Sequence, residues 1–536
     1  MVELLRALSR RRFIGVMGTG ALVAGCGTVE PLLPETPGEE TGGGGGETTG
    51  GGTGGPDVTE PEGPVTPVEP VDPVNPGPTA PRSYKAEFLN RVTFGPTMAE
   101  MDRYDAIGQA AYLEEQLHPE LIQDDPQITS LLSTFWTLTA TPTELLQTRL
   151  NEAKTAVPLH MAKAKLVRAV LSRRQLFERM VEFWSDHFNV AAKGYTFATG
   201  ISYDQDVMRV HALGKFRDLL MGVAKHVTML EFLDNNLNFW NYLNENYARE
   251  LLELHTVGLN NGYTHQDIIN TARAFTGWRS LAWSLPHAPN DVFQFAFYSS
   301  NHDPYFKNVM GLQLPANGGI RDGEKVIEFL STHPFTARHL ATKLLKFFIS
   351  ETPSEAAINR VASAYLASDT DIRETLRAVF SEETLSEATP LLCRPFHLTA
   401  KAIRQTGSTM DSTISLEKPL VEMEHMPNGW TTPDGYPMNK DYWSSGILKR
   451  WNFGFKLAKN EYAAIDLPLS AATAPGGQTS VTGVIDGWNE RYFQGRMTNA
   501  ERQALINYAN NVRGGVAAGD RDLFGMMLSL PSYQQC

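Results

Sequence analysis

Residues 244–278, NENYARELLELHTVGLNNGYTHQDIINTARAFTGW, decide how the chain is read. The pattern predicts a helix from Asn244 to about Val257, with Gly258 as its stop. A second helix spans His265 to Thr276, opened by the capping pair Thr264 and Asp267 and closed by Gly277 and Trp278. At roughly 100° per residue, Asn246, Glu250 and Glu253 share one face of the first helix. Arg249 stands four residues before Glu253, so an ordinary surface ion pair accounts for part of that face. His255 falls about 140° from Glu250 and about 160° from Glu253, on the side of Leu251 and Leu252. A straight helix therefore cannot aim His255 and both glutamates at one point. Either the helix unwinds near His255, or the imidazole is a satisfied core residue. The second helix spends Ile268, Ile269, Ala272 and Phe275 on packing.

Outward from this stretch, helical periodicity dominates. LVRAVLSRRQLFERMVEFWSDHF places apolar residues at 166, 167, 170, 171, 176, 177, 180, 181, 183 and 184, a helical stripe. Thr97 caps a helix that follows FLNRVTFGPT, and Gly108 breaks it. Further helices are expected over 207–233, 324–348, 355–380, 391–405, 448–459 and 498–512. Two stretches read as strands instead: DVFQFAFYSS (291–300) and KNVMGLQL (307–314). The Asp-Pro turn between them predicts a hairpin with His302 and Asp303 at its tip. The loop PNGWTTPDGYPMNKDYW (427–443) is rich in turn residues and aromatics, which anchor it to the body or stack on sugars. The fold class is mainly α: a multi-helix globular body over 83–536 with a small β-hairpin insertion, preceded by a disordered tether.

Residues 1–26 read as an export signal. Arg10, Arg11 and Arg12 precede Phe13 and a short apolar run, resembling a twin-arginine signal. That run ends in Leu22-Val23-Ala24-Gly25-Cys26, which resembles a bacterial lipobox and makes Cys26 the lipidation residue. Residues 27–82 are nearly all Gly, Thr, Pro, Glu and Val, the composition of a disordered tether. The expected address is therefore the cell envelope, lipid-anchored to a membrane, with the outer membrane preferred because Gly27 follows Cys26. Of the net charge of −13, residues 27–81 carry ten acids and no base, and residues 1–26 carry one acid and four bases. The body is left only mildly acidic, which argues against nucleic acid as a partner. Three cysteines are present, without a zinc-type pair. Cys393 falls in an apolar helical pattern, and a body with a large core needs no disulfide to Cys536.

RVTFGPT, FWSDHFNV, the 244–278 stretch, the His302-Asp303 turn with Lys307 and Gly311, HPFTARHLATKL and TPDGYP occur in this order. Together they resemble the bacterial family known as domain of unknown function 1800, over about residues 88–455. The resemblance implies a mostly helical, exported protein and a sulfatase-like partner protein. It implies no catalytic assignment.

The residues themselves offer two readings. As an enzyme, Glu250, Glu253 and His187 are the catalytic candidates. A divalent metal is the candidate cofactor, held by His187, Glu250, His255, His302 and Asp303, because imidazole with carboxylate suits Zn, Fe or Mn. That set requires three separate elements to converge, since neither His-Glu-x-x-His nor paired Glu-x-x-His motifs occur. A serine hydrolase lacks its Gly-x-Ser-x-Gly elbow. A paired-carboxylate glycosidase needs only two acids across a cleft. The second reading is a non-catalytic surface lipoprotein that binds a protein partner or polysaccharide.

Overall fold

The apolar stripe of residues 166–184 becomes two helices that the rest of the body is packed around. The computed structural model describes residues 84–192, 196–280, 293–473, 478–511 and 520–536, all within the unit Pro70–Cys536. The expected export signal, Cys26 and the expected tether lie outside them.

Helix α1 (Tyr84–Val92) leads into α2 (Met98–Leu117). Thr97 and Glu100 form a full capping box on α2, and Gly108, at φ 80°, kinks it. Helices α3 (Leu150–Leu171) and α4 (Gln175–His187) follow. Helix α4 has no exposed residue. Leu176, Met180, Phe183 and Trp184 enter a large core shared with α1 and with the chain from Tyr203 to Leu385. Arg179, Glu182 and Asp186, three and four residues apart, look the other way. They meet a second core built from Leu166, Val167 and Val170 of α3 together with the chain beyond Cys393. A smaller cluster packs Leu145, Val157 and Phe197. Each fully buried large apolar side chain contributes about 1.5–3 kcal/mol, so these cores account for most of the favourable folding energy.

The 244–278 stretch departs from the expected straight helix. An α-helical start, Asn246–Glu250, gives way to a π-helical turn, Leu251–His255. The next helix, α5 (His265–Ala274), carries the expected Thr264–Asp267 capping box. After it the strands pair differently from the sequence expectation. Strand β1 (Trp278–Ser280) pairs antiparallel with β2 (Phe295–Phe297), and β3 (Lys307–Val309) with β4 (Leu312–Leu314). The single hairpin becomes two because Met310 and Gly311, at φ 49° and 93°, form a tight two-residue turn inside KNVMGLQL. His302 and Asp303 then lie buried between the two ribbons rather than at a projecting tip.

Helix α6 (Ile320–Ser331) packs its Gly323 backbone against the Trp278 indole, where an added Cβ would come within 2.6 Å of Cζ2. Helix α7 (Pro334–Phe348) follows, with the His333 imidazole accepting from Phe335 N as its cap. Helix α8 (Pro395–Thr406) starts just after Cys393, which sits on the approach to the helix rather than inside it. Among the described residues, no helix is long and apolar enough to cross a membrane.

Candidate functional site

Four separated pieces of sequence meet at the C-terminal end of α4. His187 ends that helix, and the π-turn delivers His255 beside it with ring centroids 6.2 Å apart. Helix α7 contributes His339 and Lys343, four residues apart and hence on one face. The 427–443 loop closes over the group. Asn189 donates to Trp430 O and Thr432 O, pinning the loop to the residues after α4. Gly435 lies against Asp186: a Cβ there would approach Asp186 O to 2.1 Å, and its φ of 74° favours glycine independently. The loop aromatics pack inward, with Tyr436 and Trp443 4.3 and 4.8 Å from the His425 ring. Anchoring accounts for these aromatics.

Lys343 Nζ donates to His187 Nδ1 at 2.9 Å, and His187 Nε2 faces His255 O at 3.2 Å. The His187 ring is thereby fixed with its proton on Nε2. His339 Nε2 donates to Leu254 O at 3.2 Å. Neither ring nitrogen of His255 has a hydrogen-bond partner, although the residue is fully buried. Burial, with Lys343 next in effect, holds His187 well below the ordinary histidine range. The same causes push His255 down to about 3 and His339 to about 4. Lys343 is lowered to about 8 by burial, against the pull of Asp186 and Asp434. Lys343 and His339 are half-buried as whole residues, with the amine set against neutral imidazoles.

The carboxylate face borders this group. Burial raises the Glu250 carboxyl, helped by Glu253 and Asp434. Asp434 thus lies within electrostatic reach of both Glu250 and Lys343. Glu253 is engaged by Arg249 at 3.5 Å. Asp186 and Glu182 both accept from Arg394, and Glu182 also accepts from Arg179 at 2.8 Å.

His302 and Asp303 do not join this group. His302 Nδ1 faces Thr276 O at 2.8 Å and its Nε2 faces Asp322 Oδ2 at 3.2 Å. Asp303 pairs with Arg273 at 2.8 Å, and the fully buried Lys307 donates to Asp322 Oδ2 at 2.8 Å. This network fastens both ribbons and α6 onto α5. Among the described residues no hydrogen bond, ion pair or ring contact links it to His187 or Glu250. The five predicted ligands His187, Glu250, His255, His302 and Asp303 therefore do not converge as one metal centre. The group whose ligand atoms all lie within 4.8 Å of one another, and which could hold a metal ion, is instead Cys393, His397 and Cys536. The i, i+4 spacing of Cys393 and His397 was visible in the sequence; Cys536, supplied by a distant segment, was not.

The buried imidazoles make stability depend on pH. Each stays neutral in the folded chain and takes a proton near the ordinary pKa of about 6.5 once unfolded. Between that value and about 4 the unfolded state binds more protons, so stability falls as pH falls. His255→Phe should flatten the urea-denaturation free energy against pH across that window by up to about 1.4 kcal/mol per pH unit. An unchanged slope would show that His255 is protonated in the folded state.

Fold and site together define a class: a helical body with a half-open lysine set on a bed of neutral histidines. The chain belongs to the family described as "Protein of unknown function (DUF1800)", whose profile matches residues 87–535. The match runs past the last of the recognisable sequence motifs, to residue 535, and also covers Cys393, His397 and α8. Comparison with curated proteins and with solved structures gives no match in either set.

Proposed function

We propose that this protein is an exported cell-envelope lipoprotein, held to a membrane through Cys26, whose body is an acid–base enzyme acting on an envelope or extracellular substrate. The observation that carries the enzymatic part is the Lys343 amine, lowered to about 8 and donating to His187 Nδ1. An amine near neutral pKa serves as a general base or amine nucleophile, roles that unshifted lysines fill poorly. In this reading Lys343 takes the proton. His187 positions Lys343, and Glu250, with its raised carboxyl, faces the substrate as proton donor. Metal assistance at this place is disfavoured because both His187 ring nitrogens are already engaged.

A specific observation favours the alternative, a non-catalytic surface that binds a protein or polysaccharide. Trp240, Tyr242 and Leu243 are 47%, 72% and 37% exposed along one short segment. Such a patch marks an interaction site, and the implied sulfatase-like partner is one occupant of it.

Reductive methylation with ¹³C-formaldehyde, followed by NMR titration and assigned with Lys343→Arg, tests the enzymatic reading. Lys343 should titrate near 8, well below an ordinary lysine at about 10.4. Lys343→Met should then lower turnover of an envelope-derived substrate by about 10²–10⁴-fold. An ordinary lysine titration would remove the basis for the enzyme and leave the binding reading. For the anchor, Cys26→Ala should release the chain from the membrane fraction.

A further inference from the structure

On the side of α4 that faces the second core, two cysteines and a histidine meet. Cys393 precedes the cap of α8 and His397 stands in its first turn, exposed by 0% and 2%. Cys536 reaches them because its segment runs antiparallel to theirs. Cys393 N donates to Gln534 O at 2.8 Å and Cys536 N to Leu391 O at 2.9 Å, around the bridge Leu392–Gln535. The ligand atoms of the three residues lie within 4.8 Å of one another. His397 Nε2 is buried with only the Cys536 sulfur to answer it. A buried polar atom so poorly partnered costs folding energy unless something binds it. A cleft bordered by Leu391, Leu392, Arg394, His397 and Cys536 leads to the group.

The charges around the group are unbalanced. Arg179 and Arg394 are matched by Glu182 and Asp186. Lys401 and Arg450, each 1% exposed, are not. Lys401 donates to the carbonyls of Tyr533 and Gln535, and Arg450 to the carbonyl of Cys393. Among the described residues neither forms an ion pair with a carboxylate. Buried cations call for an anion, and two thiolates supply one.

We propose that Cys393, His397 and Cys536 form a binding site for a soft monovalent metal ion, Cu(I), with two thiolate sulfurs and one imidazole nitrogen as ligands. Thiolate donors select Cu(I), Zn(II) or iron–sulfur chemistry. Charge and coordination number decide among them. A divalent ion would cancel both thiolate charges and leave Lys401 and Arg450 as unbalanced as before. Cu(I) cancels one and leaves a net negative complex beside the two cations. Structural zinc almost always takes four protein ligands, and this group offers three. Binding releases both thiol protons. Arg179 Nη1, bonded to both His397 Nδ1 and Glu182 Oε2, turns wholly to Glu182, so the ring proton moves to Nδ1 and Nε2 binds the metal. This site stands apart from the Lys343 group and does not rest on the acid–base reading.

The test is anaerobic Cu(I) titration of the full chain against bathocuproine disulfonate, with X-ray absorption at the copper edge. One Cu(I) per chain held against the chelator, with two sulfurs and one nitrogen around it, is the expected result. Cys536→Ser keeps the backbone pairing to Leu391. It should weaken retention by more than the roughly 10–100-fold that loss of an outer-shell partner costs, with an unchanged circular dichroism spectrum. His397→Gln should replace the nitrogen in the absorption spectrum. No copper retained while both thiols remain free, a Cys393–Cys536 disulfide in the untreated protein, or preference for Zn(II) over Cu(I) would each overturn the proposal.

Discussion

Asp322→Ala should destabilise the body by about 3–5 kcal/mol, the range for removing one partner of a buried ion pair. Asp322 and Lys307 have side chains exposed by 1% and 0%. The lysine would keep the carbonyls of Asp303 and Tyr305 and one longer ion pair, to Asp303. Asp303 Oδ1, at 3.7 Å, is already committed to Arg273. His302 Nε2 would lose its oxygen as well. Asp322 also sits in the first turn of α6, where a negative charge favours the helix. Asp322→Asn keeps an acceptor oxygen and should lose less than Asp322→Ala. Urea denaturation at neutral pH measures both variants. A loss below about 1 kcal/mol for the alanine variant would place the network among surface pairs of little worth.

Arg394→Met should cost a similar amount, about 3–5 kcal/mol, for the mirror-image reason. It removes the cation that Glu182 and Asp186 share and leaves two carboxylates facing an apolar side chain. Burial, ahead of every other cause, already raises the Asp186 carboxyl, whereas Arg394 and Arg179 outweigh burial at Glu182 and lower it. Without Arg394 both carboxyls should rise above their unfolded values of about 4. A folded-state pKa above the unfolded one destabilises the fold at high pH, and the penalty fades as pH falls toward it. The gap between wild type and Arg394→Met should thus be widest near neutrality and narrow toward pH 4 to 5. A gap that stays constant with pH would mean that the loss comes from packing alone.

The mainly helical fold was legible in the sequence because its signals are local. The stripe at 166–184 and the capping pairs at Thr97 and Thr264 each lie within a few residues of what they specify. The strand segments were legible too, but their pairing was not. Phe295–Phe297 pairs with Trp278–Ser280, the more distant segment in sequence, rather than with the one beyond the Asp-Pro turn, and the alternation of aromatic residues does not say which neighbour wins. The candidate site was half legible. Glu250 and His187 stood out as polar groups inside apolar patterns. Lys343 and His339 were hidden because a lysine and a histidine four apart on a helix look like an ordinary solvated face. At His255 the sequence left two alternatives, unwinding or burial in the core, and both occur: a π-turn closes i to i+5 and carries more residues per turn than the 100° wheel assumes, and the residue is fully buried. Cys393 and Cys536 share no local pattern at all, and only closure of the second core brings them together.

Helix α4 lies in the large core through Phe183 and Trp184 and meets the second core through Arg179, Glu182 and Asp186. With none of its residues exposed, it offers mutation few neutral positions. A change on either face must be answered by a neighbour in a different part of the chain, and at Asp186 by the turn at Gly435 as well. Sequence drift in this protein is therefore expected to be slowest in the segment that the rest of the body was built around, whatever substrate or partner the surface comes to serve.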